Sequence, residues 1–247
     1  MRPIGFSTGA LALADFQLGL AMLKAAGEVC AVELSALRVH ELAPLAEALP
    51  SLDLERFAYV AFHAPSAFTK DEERTVVDTL VRISDRGWPI VVHPDAVHDW
   101  TLWRELGDHL CIENMDKRKP IGRTVAELAA CFDRVPDAQL CLDLGHARQV
   151  DPSMTVTFLI LRAFGDRLKQ VHLSDVSTDS QHNRLSFSAS LAFKKIAGLI
   201  PTPTPIILET PVSTEEIAHE IQRARATLTP SMVERVSISS IPTARPS

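Results

Sequence analysis

A chain of 247 residues, 46% hydrophobic and 23% charged, can bury one large core and carries no compositional sign of disorder. Its formal net charge of −6 argues against bulk nucleic-acid binding, which needs concentrated Lys and Arg, although a local basic patch is compatible with it. No apolar run approaches the ~20 residues of a membrane span, and Met1 to Ser7 lacks the apolar region of a secretory signal. The expectation is therefore a soluble cytoplasmic protein. Cys30, Cys111, Cys131 and Cys141 show no CxxC spacing and read as small buried hydrophobes in a reducing compartment.

Short apolar runs alternate with longer helix-rich stretches along the chain. The first predicted strand is 3–7, followed by a helix over 13–26 whose buried face is Leu18, Leu20, Ala21, Leu23 and Ala25. A second strand, 30–34, contains Glu33 and leads to a helix over 40–49 stopped by Pro50. The third strand, 58–62, ends at His63 with Pro65 beyond it. Thr69 and Glu72 form a capping box that opens the next helix, and Gly87 ends it.

The fourth strand, 90–92, ends at His93, and a short helix through Trp100 and Leu106 leads to the fifth, 110–112. That strand ends at Glu113 and Asn114, ahead of a basic loop with Lys117, Arg118 and Lys119. Thr124 and Glu127 cap a helix that is spent by Pro136. The sixth strand runs from Gln139 and ends at Asp143, with His146 three residues on, and a helix covers 155–164. The seventh, 168–171, ends at His172 and enters a polar loop with Asp175, Asp179, His182 and Arg184. A helix over 189–199 and a Pro-rich link precede the last strand, 206–208, which ends at Glu209. Ser213 and Glu216 cap a final helix to about residue 226.

This alternation predicts an α/β fold with a parallel sheet and crossover helices. A single (β/α)8 barrel, which typically needs ~250 residues, accommodates it as one domain over 1–229, with a tail at 230–247 expected to be partly disordered. From the second strand onward the strand ends read Glu33, His63, His93, Glu113, Asp143, His172 and Glu209. In a closed barrel these positions meet on one rim, where the loops after the strands build the active site. One such His or Glu is ordinarily a satisfied polar rim residue. A series of them is a ligand set for Zn, Mn, Fe or Co, because clustered carboxylates without a cation would have to stay protonated. His40, His98, His109 and His219 fall elsewhere and read as ordinary surface or core residues.

The stretches Phe62-His63-Ala64-Pro65, Val92-His93-Pro94, Cys111-Ile112-Glu113-Asn114, Cys141-Leu142-Asp143-Leu144-Gly145-His146, Val171-His172-Leu173-Ser174-Asp175 and Ile207-Leu208-Glu209 resemble the xylose isomerase-like TIM barrels. Within that superfamily they are most similar to the apurinic endonuclease IV family (AP endonuclease family 2). The resemblance implies that Glu113, Asp143, His172 and Glu209 hold one metal ion and that His63 and His93, with Glu113 bridging, hold a second. It places His146 and His182 at a third. There the match departs from the family, which has an Asp two residues before that histidine where this chain has Ser180, with Asp179 one residue earlier.

With two or three ions, zinc foremost, the expected chemistry is phosphoester hydrolysis, in which the cations activate water and stabilise developing charge. Lys117, Arg118 and Arg184 are then candidate anion contacts, although a solvated loop on an acidic protein reads equally well for the first two. With only the Glu113, Asp143, His172 and Glu209 ion, the better reading is isomerisation or epimerisation of a small sugar, with Glu113 and Glu209 moving protons and His146 and Arg184 orienting the substrate. A third reading is a non-catalytic metal-binding barrel. The expected partner is a small sugar or phosphate ester, with no organic cofactor. DNA is not expected, because the chain is acidic and has few long loops to carry groove-penetrating side chains.

Overall fold

The computed structural model describes residues 2–27 and 29–229, so the expected tail at 230–247 lies outside the described residues. In chain order the strands are β1 (Ile4–Ser7), β2 (Ala31–Ser35), β3 (Tyr59–His63), β4 (Ile90–Val92), β5 (Leu110–Glu113), β6 (Gln139–Asp143), β7 (Leu168–Leu173), the short pair β8 (Asp175–Val176) and β9 (His182–Asn183), and β10 (Ile206–Leu208). All but β8 and β9 form a closed barrel in the order β1-β10-β7-β6-β5-β4-β3-β2. Every barrel pairing is parallel, and β1 against β10 closes the ring. β8 and β9 form an antiparallel hairpin. The fold is the single (β/α)8 TIM barrel that the alternation predicts.

The helices are α1 (Thr8–Ala12), α2 (Phe16–Ala26), α3 (Val39–Ala48), α4 (Lys70–Ser84), α5 (Trp100–Trp103), α6 (Val125–Phe132), α7 (Leu144–Val150), α8 (Thr155–Phe164), α9 (Phe187–Lys194) and α10 (Ile217–Leu228). Two of the three expected capping boxes form: Thr69 N–H donates to Glu72 at 2.8 Å and Ser213 N–H to Glu216 at 3.1 Å, whereas at the third Thr124 caps Glu127 N–H but the Glu127 carboxylate turns to Arg123 N–H at 2.7 Å. No described helix is long and apolar enough to cross a membrane.

Strand pleating divides the core into two parts. Outward-facing Phe6, Val32, Phe62, Val92, Ile112, Leu142, Leu173 and Leu208 pack with helix residues such as Leu23, Leu80, Leu128 and Phe193 in one large cluster. Val91, Cys111 and Cys141 form a separate cluster inside the barrel, two residues before His93, Glu113 and Asp143 on the same strand faces. The four cysteines are free thiols; Cys111, Cys131 and Cys141 are buried as expected, Cys30 only partly, and burial pushes the Cys111 thiol up to about 12. Gly5 is obligatory: a Cβ there would lie 1.6 Å from the Ala31 carbonyl oxygen.

Three expectations need correction. The helix predicted over 13–26 is two, α1 and α2, divided at Leu13 (φ 52°). The Asp15 carboxylate accepts from Leu18 N–H at 2.9 Å and starts α2 afresh. Its buried face is Gly19 and Leu23 with Phe16, Leu20 and Ala26 partly covered, whereas Leu18 is 52% exposed and Ala21 and Ala25 face solvent. Leu18, Ala21 and Ala25 share a helical stripe of their own, so apolar composition alone misplaces the face. Finally, α7 was not anticipated; it begins on Asp143 itself, which acts as its N-cap.

Candidate metal centre

The rim of the barrel brings together every expected metal ligand. Glu113 ends β5 with its two carboxylate oxygens facing different neighbours. Oε2 lies 3.2 Å from His63 Nε2 and 3.3 Å from His93 Nε2. Oε1 lies 3.2 Å from His146 Nδ1 and 3.5 Å from His172 Nδ1. Glu209, just past β10, places Oε1 3.5 Å from His172 Nδ1 and Oε2 3.4 Å from His182 Nδ1. Three groups follow, each with its donor atoms within 4.8 Å of one another: His63, His93 and Glu113; Glu113, Asp143, His172 and Glu209; and Asp143, His146 and His182. A further, overlapping group joins Glu33, His63 and Glu209.

Local hydrogen bonds choose which nitrogen each imidazole turns to the site. His63 donates through Nδ1 to the Ala64 carbonyl at 2.8 Å, so its Nε2 faces Glu113. His146 donates through Nδ1 to the Asn114 carbonyl at 3.1 Å. His172 donates through Nε2 to Glu33 Oε2 at 3.0 Å, so its Nδ1 faces Glu113 and Glu209. Glu33 also accepts from Gln170 Nε2 at 2.6 Å, and Gln170 accepts from Tyr59 Oη at 2.6 Å. A polar chain therefore runs through the barrel interior beneath His172. Glu33 thus orients a histidine of the site.

The backbone of the site is tied with equal care. Asn114 accepts from Asp143 N–H at 2.8 Å and donates to its carbonyl at 2.9 Å, locking the β5 and β6 ends together. Asp143 Oδ1 accepts from His146 N–H at 2.5 Å, which sets the first turn of α7. Gly145 lets that turn approach the chain after β7, since a Cβ there would lie 2.5 Å from Val176 and 2.8 Å from the Ser174 carbonyl. Ser174 Oγ in turn meets His182 Nδ1 at 2.8 Å.

The donor set fits divalent cations. Glu113 Oε1, Asp143 Oδ2, His172 Nδ1 and Glu209 Oε2 are buried without a hydrogen-bond partner, a cost that folded proteins otherwise avoid. Their protonation is frustrated in the absence of a cation. Burial opposes a charge on His63, but the hydrogen bond to Glu113 and the charge of Glu33 outweigh it and raise the imidazole to about 9. Burial likewise opposes His146, which Asp143 and Glu113 raise to about 10. Burial, with Glu209 and Glu113 nearby, lifts the Asp143 carboxyl to about 6. Burial holds His182 down at about 4. Protons thus stand where cations would otherwise balance the carboxylates.

Some sequence-predicted residues are not brought in. Ser180, at φ 58°, turns its hydroxyl onto Asp116 Oδ1 at 2.8 Å, and Asp179 is exposed and outside the third group. The cleft over the centre, about 330 Å³, is lined by Ser7, Gly9, Ala10, Leu13, Leu37, His93, Glu113, His146, Gln181, His182, Glu209 and Pro211. Lys117, Arg118 and Arg184 are not among these. Arg118 donates to the Asp179 carbonyl at 2.6 Å, and Arg184 pairs with Glu216. Sequence reasoning passed over Gln170, because in Leu168-Lys169-Gln170-Val171 the neighbouring exposed Lys169 makes the amide look like one more solvated residue. Nothing in the sequence pointed to Leu13 or Leu37.

A family model for the xylose isomerase-like TIM barrel matches residues 101–229, and the chain belongs to that family. Among solved structures, endonuclease IV from Thermus thermophilus is similar at 22% identity and TM-score 0.58, over 92% of this chain and 99% of that one. An AP endonuclease, family 2, from Brucella melitensis aligns at 18% identity and TM-score 0.55, over 88% and 96%. A putative sugar phosphate isomerase/epimerase from Anabaena variabilis aligns at 14% identity and TM-score 0.55, over 90% and 88%. These are likenesses of fold. No curated protein matches the chain.

Proposed function

We propose that the protein is a dinuclear metal-dependent hydrolase of the phosphoesterase type, acting on a small substrate. The observation that carries this reading is Glu113, whose Oε2 faces the His63 and His93 pair while its Oε1 faces His172. A carboxylate with one oxygen in each of two donor groups is what a pair of cations requires, and a lone cation at Glu113, Asp143, His172 and Glu209 would leave His63 and His93 without a purpose. Bound divalent ions supply activation of water and stabilisation of charge on phosphoryl oxygens.

The chain's own residues do the positioning. Glu113 holds the two groups at one spacing, Glu33 aims His172, and Asn114 keeps Asp143 in register with Glu113. His182, held neutral by burial, presents an uncharged imidazole at the open side of the cleft beside Glu209. The fold alone is common to hydrolases and isomerases, so the reading rests on the site.

The test is turnover by zinc- or manganese-loaded protein of four probes: bis(p-nitrophenyl) phosphate, p-nitrophenyl phosphate, a DNA duplex with one abasic site, and D-fructose. Release of nitrophenolate, abolished by chelation and reduced at least about 100-fold in Glu113→Gln, is the expected result. Conversion of the ketose without cleavage of either phosphoester would replace hydrolysis by isomerisation. Cleavage of the abasic duplex alone would assign a nucleic-acid substrate.

A further inference from the structure

The cleft has two unlike sides. One is the donor cluster; the other is made of Ala10, Leu13, Leu37 and Pro211. Leu13 is the unusual member. Its side chain is 70% exposed at the mouth of the cleft, and its backbone sits at φ 52°, ψ −125°, a conformation that suits glycine and strains a residue with a Cβ. A large apolar group that is both exposed and strained gains nothing for the folded chain there. Leu37 is brought alongside because Gly9 has no side chain: a Cβ on Gly9 would lie 3.1 Å from Leu37 Cδ2.

Charge points the same way. No Lys or Arg lines the cleft. Of the cations on the neighbouring loops, Lys119 is bound to Asp95 at 2.8 Å, Arg148 to Asp175 at 2.7 Å and Arg184 to Glu216. Two divalent ions would only just balance Glu33, Glu113, Asp143 and Glu209. A substrate with charges beyond the group held at the centre would find no cation among the residues that line the cleft to neutralise them.

We propose that the cleft takes a small molecule whose only charged part is the group held at the donor cluster and whose remainder is an uncharged apolar substituent lying against Leu13, Leu37 and Pro211. Resting on the hydrolase reading above, this is a phosphoester with an aryl or short alkyl substituent rather than a sugar phosphate or a polynucleotide. Leu13 is the residue that sets this preference.

The experiment is calorimetric binding to the zinc-loaded protein of two inert probes, phenylphosphonate and 2-hydroxyethylphosphonate, which differ in the substituent and share the anionic head. The expected result is that phenylphosphonate binds at least about tenfold more tightly, as one well-filled apolar subsite provides. In Leu13→Gly and Leu13→Asn, both compatible with the backbone at this position, the ratio falls to within about threefold of unity as the apolar contact is lost. Equal affinities in the parent protein, an unchanged ratio in both variants, or no binding of either probe would overturn the proposal. Phenylphosphonate preference without nitrophenolate release from either nitrophenyl phosphoester would support the apolar flank and sink hydrolysis, so the two readings fail separately.

Discussion

The proton that Glu33 accepts from His172 Nε2 decides which nitrogen of that ring faces Glu113 and Glu209. Gln170 and Tyr59 hold Glu33 in turn, so a side chain near the start of β3 supports a donor at the far end of β7. In Glu33→Gln the carboxylate charge is lost and the new amide meets the Gln170 amide. Zinc affinity of the Glu113, Asp143, His172 and Glu209 group is expected to fall about 10- to 100-fold, as loss of such supporting partners generally does. Competition with a chromophoric chelator measures it, and an affinity equal to the parent would show that His172 needs no orienting partner. Glu33 was legible in the sequence as a carboxylate in an apolar strand, whereas Gln170, beside Lys169, was not. Their partnership was not, because 137 residues separate them and only the closed ring brings β2 and β7 to face each other.

The break between α1 and α2 is the element that makes the cleft, since it puts Leu13 at the mouth instead of inside a continuous helix. Strain at this φ/ψ costs on the order of 1–3 kcal/mol, while glycine's extra backbone freedom in the unfolded chain costs about 0.5–1 kcal/mol. Leu13→Gly is therefore expected to leave the protein as stable as the parent or up to about 2 kcal/mol more stable by urea unfolding. A loss above about 1 kcal/mol would mean that Leu13 packs against the fold more than its exposure allows. Strand ends and helix starts were legible because His63, Glu113 and Glu209 interrupt apolar runs and because Thr69, Thr124 and Ser213 precede an acidic residue at the capping spacing. The split at Leu13 was not, since leucine carries no signal for positive φ. Nor was α7, a short helix nucleated by Asp143 and held by the chain after β7 through Gly145.

Barrel closure is what turns scattered strand ends into a centre. β1 pairs β10 through Ile4 with Ile206, Gly5 with Ile207 and Phe6 with Leu208, and this seam brings the ends of β2 and β10 onto one rim; Glu33, expected at the end of its strand, sits in the middle of β2 and so lies in the barrel interior below that rim. Asp143 and His172 are direct register partners on β6 and β7. The convergence was readable from the βα period alone, because a parallel barrel places all strand C-termini together. The unequal roles of the rim residues were not readable: the division of Glu113 between two donor groups depends on angstrom-scale placement that the period does not encode. The most direct test of a dinuclear centre is the number of metal ions per chain in zinc-loaded protein, with their ligands located by anomalous scattering. Two or more ions, one held by His63 and His93 and sharing Glu113 with the next, is the predicted result. A single ion at Glu113, Asp143, His172 and Glu209, with His63 and His93 uncoordinated, would contradict it.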